Sequence, residues 1–243
     1  MECMKYTIIS DIHSNYEALN TFFTYYDKST ELVCLGDIIG YGASPIGCLG
    51  DIRREADYVI SGNHERMLTN PRRRASASYY ARAAIEWTEK QLPETHSSYI
   101  ARIKEQKMIE NKYLLIHGSP ADPDEYIFSQ REALKHLKAL KNKGIIAAFV
   151  GHTHQPGIFT LEDNKLYTTE KTIPLNKGGT YIINPGSIGQ PRDGDTRGSY
   201  CIFDSEALTI DFYRFEYDIE RAAEHIKRQN LPNELAERLF FGM

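Results

Sequence analysis

Short apolar runs recur along the chain, and most stop at glycine or at a polar residue. Lys5–Ser10 (KYTIIS) is β-branched and ends at a turn, which predicts a strand. Ala18, Leu19, Phe22, Phe23 and Tyr26 then recur at helical spacing, so Asn15–Tyr26 reads as a helix. Leu32–Leu35 and Tyr58–Ile60 read as strands, and Pro45–Glu55 as a helix with proline near its first turn. This alternation belongs to right-handed βαβ units feeding a mainly parallel sheet. Arg72 to Glu105 reads as helical, broken at Leu92-Pro93. Lys112–Ile116 predicts a strand, Gln130–Lys141 a helix and Gly144–Val150 a buried strand. The last third reads mostly as strands: Gly157–Leu161, Lys165–Thr169, Thr180–Ile183, Ser199–Phe203 and Leu208–Glu216. Charged helix follows from Ile219. Two sheets packed face to face with helices outside accommodate this order.

Ligands of open α/β sheets bind beyond the carboxyl ends of the strands, and there the polar residues cluster. They are Asp11-Ile12-His13, Gly36-Asp37, Gly62-Asn63-His64-Glu65, His117-Gly118 and Gly151-His152-Thr153-His154. Five of the eight histidines fall in these stations. Ligands two residues apart leave the same face of an extended segment and can converge. Carboxylate oxygen with imidazole nitrogen, and no thiolate, suits Mn, Fe, Zn, Co or Ni. Asp11, His13, Asp37, Asn63, His117, His152 and His154 are too many for one tetrahedral ion; they suit two divalent ions sharing a carboxylate.

Charge sharpens this picture. The chain of 243 residues carries a formal net charge of −4, with 41% hydrophobic and 26% charged residues. That balance gives no general pull toward nucleic acid or membrane. Two divalent cations, two aspartates and a bridging hydroxide would nevertheless sum to about +1 locally, which attracts a phosphate ester. No signal peptide is evident at the start, and no run reaches the roughly 18 apolar residues of a membrane span. A cytoplasmic protein of one domain, residues 1–243, is expected. Cys3, Cys34, Cys48 and Cys201 form no CxxC pair and read as small core residues.

The order DxH, GD, GNH[DE], HG, GHxH resembles the calcineurin-like metallophosphoesterase superfamily. Asn184-Pro185-Gly186-Ser187 resembles its small bacterial and archaeal phosphodiesterase branch related to YfcE. The resemblance implies a four-layer α/β/β/α sandwich of two mixed β-sheets flanked by helices. It implies one metal on Asp11, His13, Asp37 and His154, and a second on Asp37, Asn63, His117 and His152, with Asp37 bridging. It further implies that water activated between the two metals attacks phosphorus in line. Asp37 and His64 would then be catalytic. His64 would stabilise the phosphoryl group or protonate the leaving oxygen, and Asn63 and His64 would contact substrate. Serine/threonine protein phosphatases carry GDxVDRG, where this chain has Gly36-Asp37-Ile38-Ile39-Gly40-Tyr41-Gly42. Gly40 thus replaces the carboxylate that orients the histidine, and Tyr41 replaces the phosphate-gripping arginine.

Arg192, in the turn-rich segment after Asn184–Ser187, is a candidate for the missing phosphate contact. Its alternative is a salt bridge to Asp193 or Asp195, which are themselves weaker candidates for a further cation. Tyr41 is a candidate pocket wall on which a nucleobase stacks, or a packing residue. Arg72-Arg73-Arg74 reads as a solvated basic loop, with a polyphosphate-binding rim as the alternative. His96, His136 and His225 read as surface residues, while Leu235, Leu239, Phe240 and Phe241 pack on this subunit or another. The expected function is a metal-dependent phosphodiesterase or nucleotide pyrophosphatase acting on a small phosphate ester. A phosphomonoesterase or protein phosphatase, and an inactive metal-binding scaffold, are the alternatives.

Overall fold

The computed structural model describes residues 4–161, 164–166 and 172–243. Its strands are β1 (Lys5–Ile9), β2 (Glu31–Cys34), β3 (Tyr58–Val59), β4 (Gln106–Ile109), β5 (Tyr113–Ile116), β6 (Ala147–Phe149), β7 (Gly157–Phe159), β8 (Asn164–Leu166), β9 (Ile173–Pro174), β10 (Tyr181–Asn184), β11 (Gly198–Asp204) and β12 (Thr209–Phe215). Its helices are α1 (Tyr16–Tyr25), α2 (Pro45–Glu55), α3 (Asn63–Thr69), α4 (Pro71–Ser76), α5 (Tyr79–Gln91), α6 (Glu94–Ile100), α7 (Gln130–Asn142), α8 (Ile219–Arg228) and α9 (Asn233–Glu237). A single 3-10 turn, Arg238–Phe240, follows α9.

Two six-stranded mixed sheets result, in the orders β3-β2-β1-β11-β12-β9 and β4-β5-β6-β10-β7-β8. Successive side chains of a strand leave opposite faces, and that alternation sorts the core. Tyr6, Ile8, Val33 and Leu35 from the first sheet meet Tyr113, Leu115, Phe149 and Ile183 from the second. Their neighbours Ile9, Leu32 and Cys34 pack instead against Leu19, Phe22, Leu49, Ile85 and Leu235 on the helical layer. Leu114, Ala148 and Ile182 face outward from the second sheet onto Leu137 and Leu140 of α7. The layers are therefore helix, sheet, sheet and helix, the four-layer sandwich that the sequence predicts.

Strand register brings the polar stations together. Ile9 pairs with Cys34, and Cys34 with Val59, in parallel. The segments after β1, β2 and β3 therefore emerge side by side. Leu115 pairs with Phe149, and Phe149 with Ile183, in the same way. Helix starts are fixed locally: Asn15 accepts from Ala18 N–H, and Ser129 and Glu132 form a reciprocal capping box on α7.

Several expectations change. Helix stops at Ile100, and Gln106–Ile109 pairs antiparallel with β5, so the polar Gln106-Lys107 concealed an edge strand. The strand expected over Gly144–Val150 shortens to Ala147–Phe149, because Gly144 has φ +71° just past α7. Arg72–Arg74 lie on α4 rather than a loop, with Arg73 paired to Asp124 and Arg74 to Glu89. His136 is buried, not superficial, and lies 3.0 Å from Glu125. His96 and His225 are partly exposed. Cys34, Cys48 and Cys201 are buried and free, whereas Cys3 and the end of the strand expected over Lys165–Thr169 lie outside the described residues. Leu235 and Leu239 pack on this chain's own helical core, while Phe240 and Phe241 are exposed. No helix among the described residues is long and apolar enough to cross a membrane.

Candidate metal centre

Asp11 and His13 follow β1, Asp37 follows β2, Asn63 and His64 open α3, His117 follows β5, and His152 and His154 follow β6. All except the half-buried Asn63 are buried. Asp11 Oδ1 lies 3.2 Å from His154 Nε2, 3.8 Å from His13 Nε2 and 3.9 Å from His117 Nε2. Asp37 Oδ2 lies 3.6 Å from His13 Nε2 and 3.3 Å from His117 Nε2, between the two groups. Asn63 Oδ1 is 3.1 Å from His117 Nε2. Ligand atoms of Asp11, His13 and His154 fall within 4.8 Å of one another, as do those of Asp37, His117 and His152.

The orientation of the rings is the informative feature. His13 Nδ1 faces the Ile39 carbonyl, His117 Nδ1 the Leu35 carbonyl, His154 Nδ1 the Gln190 carbonyl and His152 Nε2 the Asp124 carbonyl. A carbonyl only accepts, so each of these nitrogens carries the ring proton. Burial keeps His13, His152 and His154 neutral, so their other nitrogens are left with lone pairs, while His117 can present one when a metal replaces the proton that Asp37 favours there. His13 Nε2 and His154 Nε2 are then two acceptors 3.1 Å apart. Beside them Asp11 Oδ1 is buried with no hydrogen-bond partner. Acceptors crowded in a dry site repel unless a cation lies among them. A backbone carbonyl fixing the ring of a ligating histidine is the usual outer support of a metal site. The residues therefore fit divalent metal ions.

The loops that carry these groups are strained. Asp11, His13, Asp37, His152 and His154 all have φ between +50° and +68°, at 53°, 51°, 50°, 68° and 58° respectively. Left-handed backbone costs a non-glycine residue roughly 1–2 kcal/mol, so surrounding bonds must hold it. Asp11 N–H donates to Gly36, His13 N–H to Asp37 and Gly151 N–H to His117 carbonyls. Glu65 supplies the strongest restraint. Its Oε2 accepts from Asp37 and Gly62 N–H, and its Oε1 from Ile38 and Ile39 N–H. Ser187 Oγ donates to the Asp11 carbonyl, and Asn184 Nδ2 to the Gly151 carbonyl and Thr153 Oγ1. The Asn184–Ser187 run thus ties the β1 loop to the β6 loop. Gly62 has no room for a side chain, since a Cβ there would sit 2.0 Å from Asp37 Oδ1.

His64 N–H donates to Asp37 Oδ1, and its Nδ1 is buried without a partner. Position 40 faces that nitrogen directly: a Cβ on Gly40 would lie 2.0 Å from it. The glycine thus stands where an orienting carboxylate is absent, and His64 is held by packing. Its ring lies 4.7 Å from that of His13 and 4.4 Å from that of Tyr41. Tyr41 is buried beneath these rings, with the Arg192 and Arg238 guanidiniums 5.7 and 5.4 Å from its centroid. Arg192 donates to Gln190 Oε1, not to Asp193 or Asp195, which pair with Arg214 and Arg197.

Four contributors are not evident from sequence. Glu65 stands in the GNHE station, but its acidity alone does not reveal a backbone acceptor. Asp124 orients His152 through its carbonyl, which any residue could supply, and pairs its carboxylate with Arg66 and Arg73. Tyr126 stacks on His152 with centroids 3.7 Å apart and on Phe128 at 5.1 Å, while remaining 42% exposed. Arg238 arrives from the far end of the chain.

A buried cluster of aspartate, asparagine and histidine, at strand ends of a two-sheet sandwich, defines a metal-dependent phosphoester hydrolase. Residues 4–207 match the model of the calcineurin-like phosphoesterase superfamily domain, and the chain belongs to that superfamily. It is 37% identical over 242 residues to an uncharacterized protein of Methanocaldococcus jannaschii, MJ0912, covering 97% of each chain. The crystal structure of a metallophosphoesterase from Sphaerobacter thermophilus superposes with a TM-score of 0.88 at 33% identity, over 99% of this chain and 100% of that one. The hypothetical protein PH1004 from Pyrococcus horikoshii OT3 shares the fold, with a TM-score of 0.80 at 18% identity over 99% of both chains.

Two outcomes follow from the restraints and the charges. Glu65→Gln turns two of the four buried N–H donors against an amide NH₂ and is expected to cost about 2–5 kcal/mol. Urea denaturation of the metal-free protein measures this; an unchanged midpoint contradicts the restraint. In the metal-free protein, burial holds His64 down to about 4 and His152 to about 2. Both must take up a proton on unfolding, so stability falls as pH drops below the unfolded value of about 6.5. For His117, burial opposes the charge but the Asp37 and Asp11 carboxylates outweigh it and push it up to about 9. Its contribution is present below pH 6.5 and is lost as pH rises through 9. Thermal melts of the metal-free protein should therefore peak near pH 6.5, and a monotonic profile from pH 4 to 9 contradicts these assignments.

Proposed function

We propose that the protein is a phosphodiesterase or nucleotide pyrophosphatase working with two divalent metal ions on a small phosphate ester. The observation that carries this reading is the common orientation of four buried histidines. Each directs a ring N–H to a main-chain carbonyl and turns its other nitrogen toward Asp11 or Asp37. Asp11, His13, Asp37 and His154 would hold one ion; Asp37, Asn63, His117 and His152 would hold the other. Asp37 Oδ2, between His13 and His117, supports the shared role. Such ions supply Lewis-acid polarisation of a phosphoryl oxygen and acidify water at neutral pH; the donor set suits Mn, Fe, Zn, Co or Ni.

The chain's own groups do the rest. Burial keeps His64 neutral at pH 7, so its ring acts as a fixed hydrogen-bond donor to a phosphoryl or leaving oxygen. Asn63 binds a phosphoryl oxygen, and Arg192, backed by the Tyr41 ring, binds substrate phosphate beside the metals. Tyr126 and Phe128, stacked on each other and 42% and 53% exposed, offer aromatic surface beside His152 to a nucleobase or aryl group. We place the activity in the cytoplasm, on one domain spanning residues 1–243.

A phosphomonoesterase is the second reading. The paired guanidiniums of Arg192 and Arg238 favour it, because a dianion draws on more positive charge. Hydrolysis of bis-p-nitrophenyl phosphate against p-nitrophenyl phosphate, by metal-stripped protein with added Mn²⁺, separates the two. The diester is expected to turn over faster, and only with metal. Faster monoester turnover would put the second reading first. No turnover of either with metal bound would leave an inactive scaffold.

A further inference from the structure

Arg192 and Arg238 are like charges brought together with no carboxylate ion-paired to either among the described residues. Arg192 follows the Asn184–Ser187 clamp, and Arg238 begins the 3-10 turn after α9. Both guanidiniums flank the Tyr41 ring, at 5.7 and 5.4 Å from its centroid. Both donate to one neutral acceptor, Gln190 Oε1, at 2.7 and 3.3 Å. Arg192 Nε is buried with no hydrogen-bond partner. Among the described residues neither guanidinium forms an ion pair, since Asp193 pairs with Arg214 and Asp195 with Arg197. Burial, then the charge of Arg192, holds the Arg238 guanidinium below its usual value. Two cations sharing one amide oxygen repel, and an anion with several oxygens relieves that repulsion.

The pair also stands in the right place. Gln190 accepts from His154 Nδ1 through its main-chain carbonyl and from both arginines through its side chain. One residue thus joins a candidate metal ligand to the guanidinium pair. The pair opens into a cleft of about 450 Å³ lined by Arg192, Arg238, Glu234, Glu237, Phe241 and Met243. Phe241 and Met243 are 62% and 61% exposed, so the cleft offers apolar wall beside the cations. That combination suits an organic group carrying a phosphate.

We infer that Arg192 and Arg238 form a subsite for a second, non-reacting phosphate. The substrate class is then a nucleotide with a chain of at least two phosphates, rather than a simple diester. The inference rests on the phosphoesterase reading of the metal centre and adds Arg238 as a specificity-determining residue. A guanidinium meets phosphate oxygens through two parallel N–H bonds, so losing one should cost about tenfold or more in affinity.

Calorimetric titration tests it with AMP and with α,β-methylene ADP, whose P–C–P bridge resists hydrolysis. The protein is loaded with Mn²⁺, which is kept in excess over nucleotide. The diphosphate analogue should bind the natural protein at least about tenfold more tightly than AMP. Arg238→Gln should collapse that ratio toward one, and Arg238→Lys should keep an intermediate ratio. A ratio near one in the natural protein overturns the inference, as does a ratio that survives intact in a folded Arg238→Gln. Arg192→Gln provides a second, independent variant if Arg238→Gln misfolds. Nucleotide recovered after each titration is checked to be intact, so the ratio reads binding, and failure of the hydrolase reading would appear in the p-nitrophenyl assays and leave this ratio legible.

Discussion

Asp11 and Asp37 are buried among imidazoles, and the remaining nitrogens of His13 and His154 present lone pairs 3.1 Å apart. In a dry site this arrangement is unfavourable on its own, because carboxylates and lone pairs repel and no water solvates them. Cations convert the same arrangement into a stable one. The surrounding structure is organised around that requirement. Main-chain carbonyls of Ile39, Leu35, Gln190 and Asp124 turn the rings. Glu65 gathers four N–H groups of the β2 and β3 loops, and Ser187 and Asn184 tie the β1 and β6 loops together. Left-handed backbone at five candidate ligands is the conformational cost of converging on one point.

The two sheets divide this work. Parallel register in the first sheet brings Asp11, Asp37 and Asn63 out together. Parallel register in the second does so for His117 and His152. The apolar contact between sheets, built from residues such as Tyr6, Phe203, Phe149 and Tyr113, sets the distance between the two groups. The centre therefore depends on inter-sheet packing as much as on any ligand.

Much of this was legible in the sequence because strand periodicity and glycine-flanked polar stations are local signals. The strand-end placement of Asp11, Asp37 and His117 follows from the apolar runs before them. Groups that act through tertiary contact were not legible. The Asp124 carbonyl has no side-chain signature. His136 sits on a charged stretch but turns inward to Glu125. Gln106–Ile109 lacks strand composition because it lies at a sheet edge and exposes three of its four residues. Arg238 lies far along the chain from Tyr41 and gave no hint of reaching it. Gly40 shows both cases. Its departure from the protein-phosphatase pattern was visible, but that it faces His64 Nδ1 was not.

The metal content of the protein tests the central claim most directly. Equilibrium dialysis of metal-stripped protein against Mn²⁺, followed by elemental analysis, gives the number of ions held per chain. The two candidate ligand groups proposed to share Asp37 predict saturation at two ions per chain. Saturation at one ion, or no binding above that of a denatured control, would contradict it.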